Sequence, residues 1–216
     1  MIINSSESSK KTGTDLLNYY INHGNLEGGY SLLIENEVDV NMKNNIGMTP
    51  LLLAVKNNNL SFTRLLLEFG ANPNVKNDAK VGESSPMTIA SENNYYEVAS
   101  VLLDFGGNPN ERDYLGYACL HLAARNGFLS LVILLLSRGA DPQIRDGYGN
   151  TASYLAKMSC HYDLLEILPP PLTVGFEELY EYNDQVMKQT KGYTDDDIKK
   201  YQNQIAKDLK TKGKKK

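Results

Sequence analysis

Tryptophan is absent from this 216-residue chain, and only two cysteines and three histidines are present. Cys119 and Cys160 do not resemble the dense disulfide framework that holds small secreted domains together. Cys119 and His121 stand at ligand-pair spacing, but no second pair at zinc spacing accompanies them, and His23 and His161 fall in other parts of the chain. No metal site is expected. The longest uninterrupted apolar run, Leu131 to Leu136, is far short of the roughly 20 residues that span a bilayer, so no membrane span is expected. Only Ile2 and Ile3 precede the polar residues that follow Met1, which gives no signal-peptide core. The expected location is cytoplasmic, with cytoskeleton, cilium and nucleus left open, and the sequons at Asn4 and Asn59 are expected to be unused.

The patterns of catalysis are missing as well. There is no Ser-His-Asp or Cys-His arrangement, no P-loop, and no acid pair that stands out from the solvated background. Gly147, Gly149 and Ala152 formally satisfy a G-x-G-x-x-A fingerprint, yet no buried strand precedes them, so the match is accidental. No enzymatic activity and no cofactor are expected. Asn, Tyr and Lys are abundant, a bias that an AT-rich genome would also produce.

What is there is a period. Residues 114–146 read as a turn ending at Gly116, a short helix from Ala118, a break at Asn126-Gly127 and a second, more apolar helix over Leu129–Ser137. Gly139 then stops the chain and Asp141-Pro142 opens an extended turn. Such a unit cannot bury its own apolar face, and neighbours of the same form flank it. Thr49-Pro50-Leu51-Leu52-Leu53-Ala54, Ser85-Pro86-Met87-Thr88-Ile89-Ala90 and Thr151-Ala152-Ser153-Tyr154-Leu155-Ala156 each begin one. The starts are separated by 36, 33 and 33 residues. A period of about 33 with a T-P-L-H-x-A-like start resembles the ankyrin repeat, and the resemblance covers residues 14–168. It implies an all-α solenoid of stacked helix-turn-helix repeats with projecting turns, plus C-terminal helices.

Five repeats are expected, over about 14–44, 45–77, 78–112, 113–145 and 146–168, the first and last degenerate. Residues 1–13 are polar and read as a disordered arm. Three extra residues over 77–84 lengthen one turn; loops accept such insertions readily, and a partner-reading finger is the alternative. Leu51, Ala54, Leu65, Leu66, Met87, Ala90, Val101, Leu102, Leu120, Ala123, Leu134 and Leu135 are expected in the core. Pro169-Pro170-Pro171 ends the repeats. Residues 169–190 then form a Pro-rich linker and a helix carrying Phe176, Leu179, Tyr180, Val186 and Met187. That helix either caps the stack or docks a partner. Residues 191–216 form a basic helical tail with a narrow stripe of Ile198, Tyr201, Ile205 and Leu209.

Charge is divided along the chain: residues 1–190 carry a net −9 and residues 191–216 a net +5. Lys210, Lys212, Lys214, Lys215 and Lys216 would attract polyanions, or simply keep the end solvated. The acidic body argues against nucleic acid as the partner. In the family that the chain resembles, first helices and turn tips line a concave face, and His121 occupies a structural slot of the motif. Carried over, that face presents Asn45, Ile46, Met48, Tyr114, Leu115, Tyr117, Tyr148 and Asn150 at the tips. The first-helix ends add Lys56, Glu92, Arg125 and Met158. Tyr and Arg dominate binding energetics, so Arg112, Tyr114, Leu115, Tyr117, Arg125, Arg145 and Tyr148 are the expected partner-binding cluster. The expected function is a non-enzymatic protein-interaction adaptor, with the tail as a second contact. The alternative is a structural subunit of a cytoskeletal or ciliary assembly, its tail held on an acidic filament surface.

Overall fold

The computed structural model describes residues 5–35, 38–78 and 83–170. The expected helix over 176–190, the basic tail and the tip of the long turn lie outside the described residues. Among those described, the chain forms α1 (Ser5–His23), α2 (Leu26–Ile34), α3 (Pro50–Lys56), α4 (Leu60–Glu68) and α5 (Pro86–Glu92). There follow α6 (Tyr96–Asp104), α7 (Cys119–Arg125), α8 (Leu129–Ser137), α9 (Ala152–Met158) and a 3₁₀ helix (Tyr162–Glu166). These pair into five antiparallel layers. First helices α1, α3, α5, α7 and α9 stack on one another, and the second helices stack behind them. The first helices approach more closely, because Ala54, Ala90, Ala123 and Ala156 face the neighbouring layer and are fully buried.

First helices α3, α5, α7 and α9 each start from a local cap. Thr49 Oγ1 accepts from the Leu52 N–H at 3.4 Å, Ser85 Oγ from Thr88 at 3.2 Å and Thr151 Oγ1 from Tyr154 at 3.4 Å. Ala118 has no oxygen to offer, and the fourth residue of the motif compensates: His121 Nδ1 accepts from the Ala118 N–H at 3.2 Å. With Nδ1 used as an acceptor, the ring proton sits on Nε2, which donates to the Asn150 carbonyl of the next layer at 3.0 Å. Between paired helices the chain turns through a left-handed residue: Gly24, Asn58, Asn94, Gly127 and Cys160. All twelve expected core residues are buried.

The bases of the layers are joined by a ladder of asparagine side chains. Asn41 donates from Nδ2 to the Gly70 carbonyl at 3.2 Å and accepts from the Asn72 N–H at 2.8 Å. Asn74 repeats this with Gly106 and Asn108, at 3.0 and 2.8 Å. Asn110 repeats it with Gly139 and Asp141, at 3.2 and 2.7 Å. Gln143 takes the last rung and donates to the Pro170 carbonyl at 3.2 Å.

One element departs from the sequence expectation. Residues 5–13 are helical as the start of α1, where a disordered arm is expected. The stretch holds no proline, and adding residues to a formed helix is far easier than starting one. In the fifth layer, expected to be degenerate, the second helix is one 3₁₀ segment. Its counterparts run nine residues, which here would continue to 170. Pro169 and Pro170 lack the N–H groups for that final turn and push the preceding residue out of helical geometry.

Three outcomes follow from this framework. Asn74→Ala removes two cross-layer bonds and should cost about 1–2 kcal/mol in urea denaturation. Cys160 is the one non-glycine, non-asparagine residue among the left-handed turns named above, at φ 62°. Cys160→Gly should therefore raise stability by about 0.5–1 kcal/mol, and a lower urea midpoint would contradict the strain at this turn. Burial lowers the His121 pKa below the ordinary 6.5, so the unfolded chain binds this proton more readily than the fold does. The stability that neutral His121 contributes is complete above about pH 6.5 and declines as pH falls through the lowered value. Urea midpoints measured from pH 7.5 to 5 should show this decline, and His121→Gln should flatten it.

Candidate partner-binding surface

The projecting tips are built the same way in every layer where they are described. Asn44, Asp113 and Asp146 open the turn, and each side-chain oxygen accepts two backbone N–H groups, two and four residues ahead, at 2.8–3.1 Å. Asn77 does the same across the insertion: its backbone N–H reaches the Ser84 carbonyl and its Oδ1 takes the Ser84 N–H. Both ends of the long turn are thereby pinched together. Successive tips nest closely. A side chain on Gly147 would collide with the Leu115 carbonyl, so only glycine permits the fourth and fifth tips to touch.

On this frame the expected cluster divides in two. Tyr117 is half-buried, with the Arg125 guanidinium 5.1 Å from its ring centre and the Tyr148 ring 6.4 Å away. Tyr114, Leu115 and Tyr148 are exposed beside it. These five form one aromatic and cationic patch. Arg112 and Arg145 lie along the same edge but are engaged within the chain: Arg112 Nη1 donates to the Arg145 carbonyl at 3.1 Å, and Arg145 Nη1 to the Gly149 carbonyl at 2.6 Å. Their guanidinium groups brace the tips, and their positive charge remains on the surface.

A cleft of about 120 Å3 opens between the third and fourth layers, lined by Thr88, Glu92, Tyr114, Tyr117 and Arg125 among others. A larger one, about 480 Å3, lies between the second and third layers, where Ile46, Lys56, Ile89, Glu92 and Tyr95 meet Asn77 and Ser84. Sequence reading missed this second cleft. Its signal was the 36-residue spacing between the second and third repeat starts. Met48 also lines the cleft but is buried, against its expected place at an exposed tip. It stands last in the turn, where its side chain folds under the tip.

The electrostatics of this face are simple. Lys56, Glu92 and Arg125 occupy the same position on three successive first helices, so charge alternates along it. The ion pairs Lys43–Asp78, Lys76–Glu111 and Arg138–Asp104, each at 2.7 Å, use other residues. Cys119 and His121 do not form a ligand pair. Burial pushes the Cys119 thiol up to about 12, its Sγ faces the Glu111 carbonyl, and both His121 nitrogens are taken by backbone groups. Among the described residues no three His, Cys, Asp or Glu side chains gather as a metal site would require. No helix among them is long and apolar enough to cross a membrane. The five tail lysines expected to bind polyanions lie outside the described residues.

A family model of ankyrin repeats matches the chain in three copies, over residues 2–77, 70–146 and 87–171. A search of curated proteins finds no match. Ankyrin repeats generally mediate protein–protein interaction. The cross-layer ladder, the pinched tips and the repeated helix pairs are thus those of a member: this chain belongs to the ankyrin repeat family.

Proposed function

We propose that the chain is a non-enzymatic adaptor that holds a protein partner against its first-helix ends and turn tips. The observation that carries this is the joining of Arg125, Tyr117 and Tyr148 into one exposed patch over the cleft between the third and fourth layers. Aromatic rings and guanidinium groups supply large contact area at low entropic cost, and a tip fixed by its own hydrogen bonds loses little freedom on binding. Tyr114 and Leu115 extend the patch, and the charge of Arg112 and Arg145 gives it a cationic edge. The Lys-rich segment at 210–216 would add a second contact and raise overall affinity through effective concentration. A cytoplasmic setting suits this role. The second reading rests on that same charge of +5 over residues 191–216: a structural subunit of a cytoskeletal or ciliary assembly, tethered to an acidic surface.

Pull-downs from the native cell extract with full-length protein and with residues 1–190, each washed at low and high salt, separate the two. Partners that survive tail removal and salt support the patch. Partners that vanish with the tail, or prove to be filament proteins, sink it. Once a partner is in hand, Arg125→Ala and Tyr148→Ala should each weaken binding by about 1–3 kcal/mol in calorimetric titration without lowering Tm. Arg112→Ala should act chiefly on tip stability.

A further inference from the structure

The last layer leaves uncovered what the inner layers bury. The fourth position of the first-helix motif is Leu52, Thr88 and His121 in the inner layers, exposed by 0, 2 and 1 %. In the fifth layer it is Tyr154, exposed by 44 %. The seventh residue after each left-handed turn is Leu65, Val101 and Leu134, exposed by 8, 4 and 7 %, and its fifth-layer counterpart Ile167 is exposed by 36 %. Gly47 and Gly116 each have a following tip against them, whereas Gly149 has nothing within 4 Å. A stack end that meets water needs a polar outer face. At Tyr154 and Ile167 this one offers apolar surface instead.

We propose that residues 173–187 of the same chain dock as a helix on this face, seating Phe176, Leu179 and Tyr180 against Tyr154 and Ile167. Three observations select this occupant over a separate molecule. The segment places Phe176, Leu179 and Tyr180 at i, i+3 and i+4, with Val186 and Met187 two turns further on, the spacing of one apolar helix face. Its point of departure is fixed: Gln143 Nε2 holds the Pro170 carbonyl at 3.2 Å, at the base of the fifth layer. Residues 171–173 then span roughly 10 Å when extended, which is one helix-to-helix spacing of about 8–10 Å. A helix starting at Thr173 is delivered to the place of a sixth layer. Such a short tether gives an effective concentration in the millimolar range, which favours the chain's own segment over a free competitor. This inference does not rest on the partner-binding patch, which is made of turn-tip and first-helix-end residues and uses neither Tyr154 nor Ile167.

The test is thermal unfolding of the full-length chain with Leu179→Asp, Ile167→Ser and both together, with sedimentation equilibrium over a range of concentrations. Leu179→Asp should lower Tm by about 2–4 °C, and in the Ile167→Ser background it should lower Tm by less than half as much. The protein should remain a monomer throughout. An unchanged Tm for Leu179→Asp, or fully additive shifts, would overturn the docking. So would a dimer that Leu179→Asp dissociates, since the stripe of one copy would then be covering another. Ile167 is already partly exposed, so its replacement leaves a folded chain to measure.

Discussion

Backbone groups at the base of each layer have no regular secondary structure to pair with, and asparagine side chains complete them. Asn41, Asn74 and Asn110 each supply one donor and one acceptor to the next layer's loop, to a glycine carbonyl and to the N–H two residues on. A carboxamide is the only short side chain that offers both functions in one plane. Apolar packing between helices is tolerant of small rotations and shifts. This pairing is not, and it therefore fixes the spacing and rotation of one layer on the next. The tips project from those loops, so the position of Tyr117 relative to Tyr148 is set at the base.

The same logic explains why some surface charge does not serve as binding energy. Arg112 reaches across to the Arg145 carbonyl of the next layer, which extends cross-layer bonding beyond the base ladder, and Arg145 closes its own tip on the Gly149 carbonyl. Arg125 instead lies over an aromatic ring on its own layer, where its donors remain open to a partner. Two arginines hold the surface in shape and the third faces outward from it. The distinction depends on three-dimensional reach, since all three are exposed or half-exposed arginines near a turn.

Much of the fold was legible because it is written as a local period. Hydrophobic spacing placed the helix pairs, and every core residue expected from it is buried. Of the residues in the proposed patch, Tyr117 contacts Arg125 and Tyr148, and Tyr114 and Leu115 line the adjoining cleft. The ladder was hidden, because Asn41, Asn74 and Asn110 recur at the repeat period yet look like loop composition in an asparagine-rich chain. Their partners lie about one repeat away, 29 to 34 residues along the sequence, where no local pattern points. The larger cleft was hidden for a related reason. Its inserted residues were visible, but a cavity is a property of two layers, and only their separation reveals it. The helical start of α1 shows the remaining limit. Propensity decides it only through a neighbouring formed helix.

The pinched neck at Asn77 and Ser84 has a bearing on how such a surface changes over generations. The hydrogen bonds between these residues close the loop before the inserted residues begin, and the base ladder through Asn74 passes beneath them undisturbed. The Asn74 rungs run outside the loop, while Asp78 at its first edge pairs with Lys43 of the preceding layer. Rewriting the residues between Asn77 and Ser84 would leave the Asn74 rungs of the ladder in place. Heritable change at this one tip is thus separable from the base bonding that sets the layers.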